Sequence, residues 1–124
     1  MHEVTVAEPA ILIRNPRLYR EGMSTEELYE ATRGVWRIGE RRDGAHFALS
    51  IVKGIVKEVF VIHQWHPAAS TAYSTRPLRD VKIDGRWEFT GVVAPESVRS
   101  KYVGRSVAHY FARGNVSPIT YVNC

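Results

Sequence analysis

Two β-type runs joined by a two-residue turn constrain this chain more than any other feature. From His46 to Val52 the residues alternate, with Phe47, Leu49 and Ile51 on one side and His46, Ala48 and Ser50 on the other. Lys53-Gly54 follows, a dipeptide suited to a tight hairpin. Ile55 to Trp65 is then long and mostly apolar, the signature of a strand buried on both faces near the middle of a sheet. The rest of the chain must supply that hairpin with neighbouring strands and cover.

The flanking segments read accordingly. Ala10-Ile11-Leu12-Ile13 is a strand with Pro9 at its start, where a missing amide donor is tolerated. Ser24-Thr25-Glu26-Glu27 has the spacing of a capping box and opens a helix to about Thr32, with Leu28 and Ala31 inward and Gly34 as its stop. Val35–Ile38 is a short strand and Arg41–Gly44 a turn. Residues 66–84, nineteen in all, read as one long loop, a length often tied to function. Arg86–Val93 is a strand, with Trp87 and Phe89 on one side and Arg86, Glu88 and Thr90 on a polar, exposed side. Pro95-Glu96 starts a short helix, Val107–Ala112 a second, and Ile119–Val122 closes the set as a strand. Five or six strands with two or three short helices make an α+β fold, a small mixed β-barrel, over a single domain spanning residues 1–124.

Charge and cysteine usage narrow the setting. The chain of 124 residues is 44% hydrophobic and 24% charged, which supports a packed core rather than disorder. No apolar run approaches the roughly 18 residues of a membrane span. Met1-His2-Glu3-Val4-Thr5 lacks the basic start of a signal peptide, and the lone Cys124 offers no disulfide, so a cytoplasmic setting is expected. Net charge is +4, but residues 1–33 carry −2 and residues 34–124 carry +6. Thirteen of the seventeen basic residues are arginine, the cation that forks onto phosphates and stacks on rings. An anionic partner, nucleic acid foremost, fits this bias.

Three tryptophans on separate β-segments add a stacking chemistry. Trp36 and Trp87 share faces with apolar neighbours, Ile38 and Phe89, and so have a core reading beside a binding one. Trp65 ends the long strand between His63 and His66 and precedes the long loop. Trp65, Tyr73 and Arg76 form the most economical set for base stacking with a phosphate contact. The candidate nucleic-acid-binding residues are Trp36, Arg37, Trp65, His66, Tyr73, Arg76 and Trp87.

Catalytic and metal chemistry find little support. His63 and His66, three apart on a strand, face opposite sides unless the strand bends. There is no Cys-x-x-Cys, His-Glu-x-x-His or Gly-x-Ser-x-Gly motif, and the nine glycines are scattered rather than gathered in a phosphate loop. Glu88, His63 and His66 are the only residues suggesting general acid–base work. No catalytic residue, metal or cofactor is assigned.

Two resemblances bear on this reading. Tyr102-Val103-Gly104-Arg105-Ser106 resembles the second half of a GIY-YIG nuclease motif, but Gly34-Val35-Trp36, the counterpart of the first half, lies more than sixty residues away, so nuclease identity does not follow. The run from Arg33-Gly34-Val35-Trp36 through Phe47–Val56 to Ile62-His63-Gln64-Trp65 is similar to the strand, hairpin and long strand of PUA-like domains of the EVE and ASCH type. That resemblance implies a pseudo-barrel that grips RNA or a modified base in an aromatic cleft. The phrases Asn15–Met23, Ala31–Trp36 and Tyr121–Cys124 also resemble a bacterial domain found beside nuclease modules. The expected function is a nucleic-acid-binding module recognising a modified or unstacked base. The alternatives are a protein-interaction or regulatory domain associated with a nuclease, and a small nucleotide-directed enzyme.

Overall fold

The computed structural model describes residues 2–15 and 17–124. Six strands, β1 (Ala10–Arg14), β2 (Gly34–Trp36), β3 (Phe47–Val52), β4 (Ile55–Pro67), β5 (Trp87–Val93) and β6 (Ile119–Val122), form one sheet in the order β2-β5-β4-β3-β1-β6. All neighbours are antiparallel except β1 and β3. The sheet curls into a half-barrel carrying three short helices, α1 (Thr25–Thr32), α2 (Leu78–Val81) and α3 (Glu96–Tyr102). This is the α+β pseudo-barrel class expected from the sequence.

Both faces of the sheet are covered, which accounts for the near-continuous apolar runs. Along β1, Ala10 and Leu12 enter one core while Ile11 and Ile13 enter the other. The first core includes Leu49, Ile51, Val56 and Val59 and is closed by Tyr102 of α3, Val107 and Val6. The second gathers Ala48, Phe60 and Phe89 under Leu28 and Tyr29 of α1, with Trp36 and Trp65 at its margin.

Two irregularities in β4 set its register. The Lys53-Gly54 turn has positive φ at both residues, 52° and 78°, as its hairpin geometry requires. Pairing then shifts between Ser50 and Ile51, which face Glu58 and Val56. This bulge lets Val56 and Val59, an odd number apart, share one core. A second shift lies between Ile62 and Gln64, opposite Gly91 and Thr90. A Cβ on Gly91 would run into the Val61 carbonyl, so the closest approach of β5 to β4 requires glycine.

Several expectations are corrected. The capping box is present, with Ser24 Oγ accepting from Glu27 N at 3.1 Å and Ser24 N donating to Glu27 Oε1 at 3.1 Å. The helix ends at Arg33, however, and Gly34 opens β2 instead of stopping α1. A Cβ there would lie 2.9 Å from Glu88 Cβ, so glycine permits the β2–β5 approach. The segment 66–84 is not one loop: β4 continues to Pro67, and α2 forms at Leu78–Val81. Val107–Ala112 holds only a 3₁₀ turn at Ala108–Tyr110, because the extended backbone of Phe111 (φ −106°, ψ 110°) ends it. Among the described residues no helix is long and apolar enough to cross a membrane.

Candidate functional site

Glu88 is the largest departure from the strand pattern. Alternation puts it on an open face, yet it is 0% exposed because residues 68–76 fold over it. Its Oε1 accepts from Ala69 N at 2.8 Å and Tyr73 Oη at 3.1 Å. Its Oε2 accepts from Thr71 N at 2.9 Å and from Thr71 Oγ1. Arg33, 3% exposed, lies 3.8 Å away through Nη1. Four donors occupy the lone pairs of the carboxylate, so Glu88 has none free to take a substrate proton.

A second buried carboxylate pins the same segment. Glu30, 4% exposed on α1, accepts from Ser74 N at 2.8 Å, Thr75 N at 2.7 Å and Thr75 Oγ1 at 2.6 Å. Burial alone would raise its pKa, but these donors, with Arg33 beside it, bring it below the ordinary carboxylate value. Arg33 joins the two anchors, donating to Thr71 Oγ1 at 2.7 Å, Phe89 O at 3.3 Å and Ala72 O at 2.7 Å. Its guanidinium lies 3.7 Å from the Tyr73 ring centroid. Burial first, then the Glu88 carboxylate, push the Tyr73 hydroxyl pKa well up. Tyr73 is therefore held neutral against Glu88, with its ring against Arg33.

Beside this network lies a groove of about 420 Å³ walled by Trp36 and the Gly34-Val35 backbone. Arg17, Arg76, Arg79 and Arg86 line it against a single acid, Asp80, a net of three positive charges. Trp36 is fixed by a bond from Nε1 to Thr32 O at 2.8 Å. Arg76 is held from behind, donating to Glu30 O at 3.0 Å and to Gly34 O, and burial lowers its pKa. The Nε of Arg86 is buried without a hydrogen-bond partner among the described residues, as are those of Arg33 and Arg42.

A second hollow of about 590 Å³ adjoins the first, sharing Asn15, Arg17 and Trp36 with it. Its remaining walls include Val116 and Pro118. Arg14 is engaged here, bonded to Asn115 O at 3.0 Å and to Ser117 O, and stacked 4.2 Å from the Phe111 ring centroid.

The residues singled out by sequence are thus split between locations. Trp36 and Arg76 line the arginine groove, and Tyr73 lies behind it in the buried network. Arg37, next to Trp36, is exposed. Trp65 lines a different hollow, of about 560 Å³, with Asp43, His46 and His63. Its Nε1 donates to Arg42 O at 3.1 Å, and its ring meets Phe89 edge-on at 5.2 Å. Trp87 is half-buried under the Arg42 guanidinium, 3.6 Å from its ring centroid. His66 Nε2 lies 3.0 Å from Thr90 Oγ1. Trp65, Tyr73 and Arg76 do not line a common hollow.

Arg17, Arg79 and Arg86 are the groove residues that sequence reasoning passed over. For Arg79 and Arg86 the available signal was the arginine bias downstream of Gly34, together with Arg86 preceding a tryptophan-bearing strand; Arg17 lies in the net-acidic first 33 residues, where no such signal exists. Among the described residues no group of three or more His, Cys, Asp or Glu side chains could hold a metal ion. Comparison of the chain with protein-family models, with curated proteins and with solved structures finds no match.

Proposed function

We propose that this chain is a nucleic-acid-binding module that uses the arginine groove beside Trp36 as its contact. The observation carrying the reading is the gathering of Arg17, Arg76, Arg79 and Arg86 against the single acid Asp80 around one hollow beside Trp36. Phosphate matches the guanidinium fork in geometry and charge. The half-buried Trp36 beside it supplies an aromatic surface of the kind on which bases stack.

Titrating the protein with single- and double-stranded DNA and RNA, plain and base-modified, while following tryptophan fluorescence tests the reading. Quenching that persists at moderate salt supports it. Binding that disappears entirely as salt rises reduces it to a basic surface. A second reading rests on the apolar rim of the same groove: Leu18 and Ile83 are 40% and 36% exposed. These suit a protein partner carrying an acidic segment, and silence toward all nucleic acids at low salt would favour it.

A further inference from the structure

We infer that the two hollows flanking Trp36 form one bipartite site for an unpaired nucleotide of a DNA or RNA strand, with phosphate in the arginine-lined hollow and base in the apolar one. The inference rests on the nucleic-acid reading and names the form of substrate.

The assignment follows from how each hollow's cations are used. In the first, four arginines stand against the single acid Asp80, and Arg79 is 85% exposed, so positive charge is available to a ligand. In the second, Arg17 stands on the border shared with the first, and the guanidinium of Arg14 is bonded to two carbonyls and stacked on Phe111. Away from that border the hollow offers apolar surface: Pro118, the flank of Trp36 and Val116, which is 93% exposed. Asn15 joins the two hollows and is itself fixed, its Nδ2 donating to Ala31 O at 2.8 Å. A charged end and a flat apolar end set side by side match the two halves of a nucleotide. Each hollow also lies in the usual range for small-ligand sites, about 300–1,000 Å³.

Duplex is disfavoured by what the fold offers as a reading element. The longest helix, α1, has eight residues, carries Glu26 and Glu27 in its first turn, and buries its C-terminal end. A helix that enters the major groove leads with its N-terminal residues between phosphates, and acidic side chains there are repelled. The helices α2 and α3 have four and seven residues. The concave surface at Trp36 instead needs a base freed from its stack, as in single strands.

The test is fluorescence anisotropy at low salt with labelled DNA and RNA strands about eight nucleotides long, within the usual range for single-strand binders. The same sequence is supplied as a duplex and as a strand with abasic sites at its centre. The expected result is single strands binding about tenfold tighter than duplex, with most of that advantage lost when bases are removed. Arg86→Ala should weaken base-bearing and abasic strands alike. Val116→Ser, at a side chain too exposed to affect folding, should weaken only the base-bearing strand, by about two- to threefold. Trp36→Leu should do the same more strongly, with circular dichroism confirming the fold. Duplex bound as tightly as single strand, or abasic strand as tightly as intact strand, overturns this inference and leaves the broader reading standing. No binding to any of them overturns both.

Discussion

Arg33 directly precedes β2 and Arg86 directly precedes β5, yet the two side chains serve different ends. Arg33 is 3% exposed, donates to three oxygens, stacks on Tyr73 and neighbours two carboxylates. Arg86 lines an open groove among other arginines. The same residue type serves as an internal tie in one region and as the wall of an open groove in the other. An orphan Nε does not separate these roles, because it is buried without a partner in both among the described residues. The acceptors gathered around the Nη nitrogens of Arg33 do.

Breaking the tie should produce the largest effect. Glu88→Ala leaves Tyr73 Oη, Thr71 Oγ1 and two backbone amides without their acceptor and Arg33 without its ion-pair partner, and a loss of about 3–5 kcal/mol is expected by urea denaturation. Arg86→Ala should change stability by less than about 0.5 kcal/mol in the same assay. Similar losses for the two would erase the contrast. Gly34→Ala is next: its Cβ would press on Glu88 Cβ, a branch point in the sheet that cannot swing away, at a cost of about 1–3 kcal/mol.

Binding sharpens the comparison from the other side. Arg86→Ala should weaken nucleic-acid binding by about tenfold and reduce the slope of log affinity against log salt by about one, the loss of one phosphate contact. Arg79→Ala, at a more exposed and flexible position, should lower affinity less while reducing the slope similarly.

The smallest effect is acid sensitivity of the tie. Glu30 has its native pKa below the ordinary 4.5, so it binds protons more readily when unfolded. The stability it contributes is present above that ordinary value and is lost as pH falls through the lower native one. Glu8, whose pKa is lowered first by the Lys101 hydrogen bond and then by Tyr102, acts in the same direction. Thermal melts across that window should show a shallower acid decline for Glu30→Gln than for the native chain.

Much of the fold was legible because local signals agreed with each other. The alternation of β3, the Lys53-Gly54 turn and the Ser24 capping box all depend on neighbours in sequence, and all are found. The bulge between Ser50 and Ile51 was not legible, since a period-two pattern does not show where a ladder slips. Glu88 misled for a related reason: alternation gives the side of a strand, but a distant segment decides whether that side is wet. The glycine stop assigned to Gly34 was plausible from its place after a helix, yet its function is set by Glu88, fifty-four positions downstream. Around the groove, Trp36 and Arg76 were visible as types suited to binding, while Arg17, Arg79 and Arg86 come together only through the packing of α2 near β2 and β5.

The placement of β1 has a consequence for how the chain acquires its structure. β1 lies between β3 and β6, and its register with β6 joins Ala10 to Val122. The strand made first during synthesis thus borders the strand made last. Until residues 119–122 emerge, β1 has an open, apolar edge that can pair with another chain. High sequence separation of this kind slows the search for the native pairing. A nascent chain stalled before β6 is therefore the form of this protein most exposed to aggregation, and the one that would draw most on chaperones.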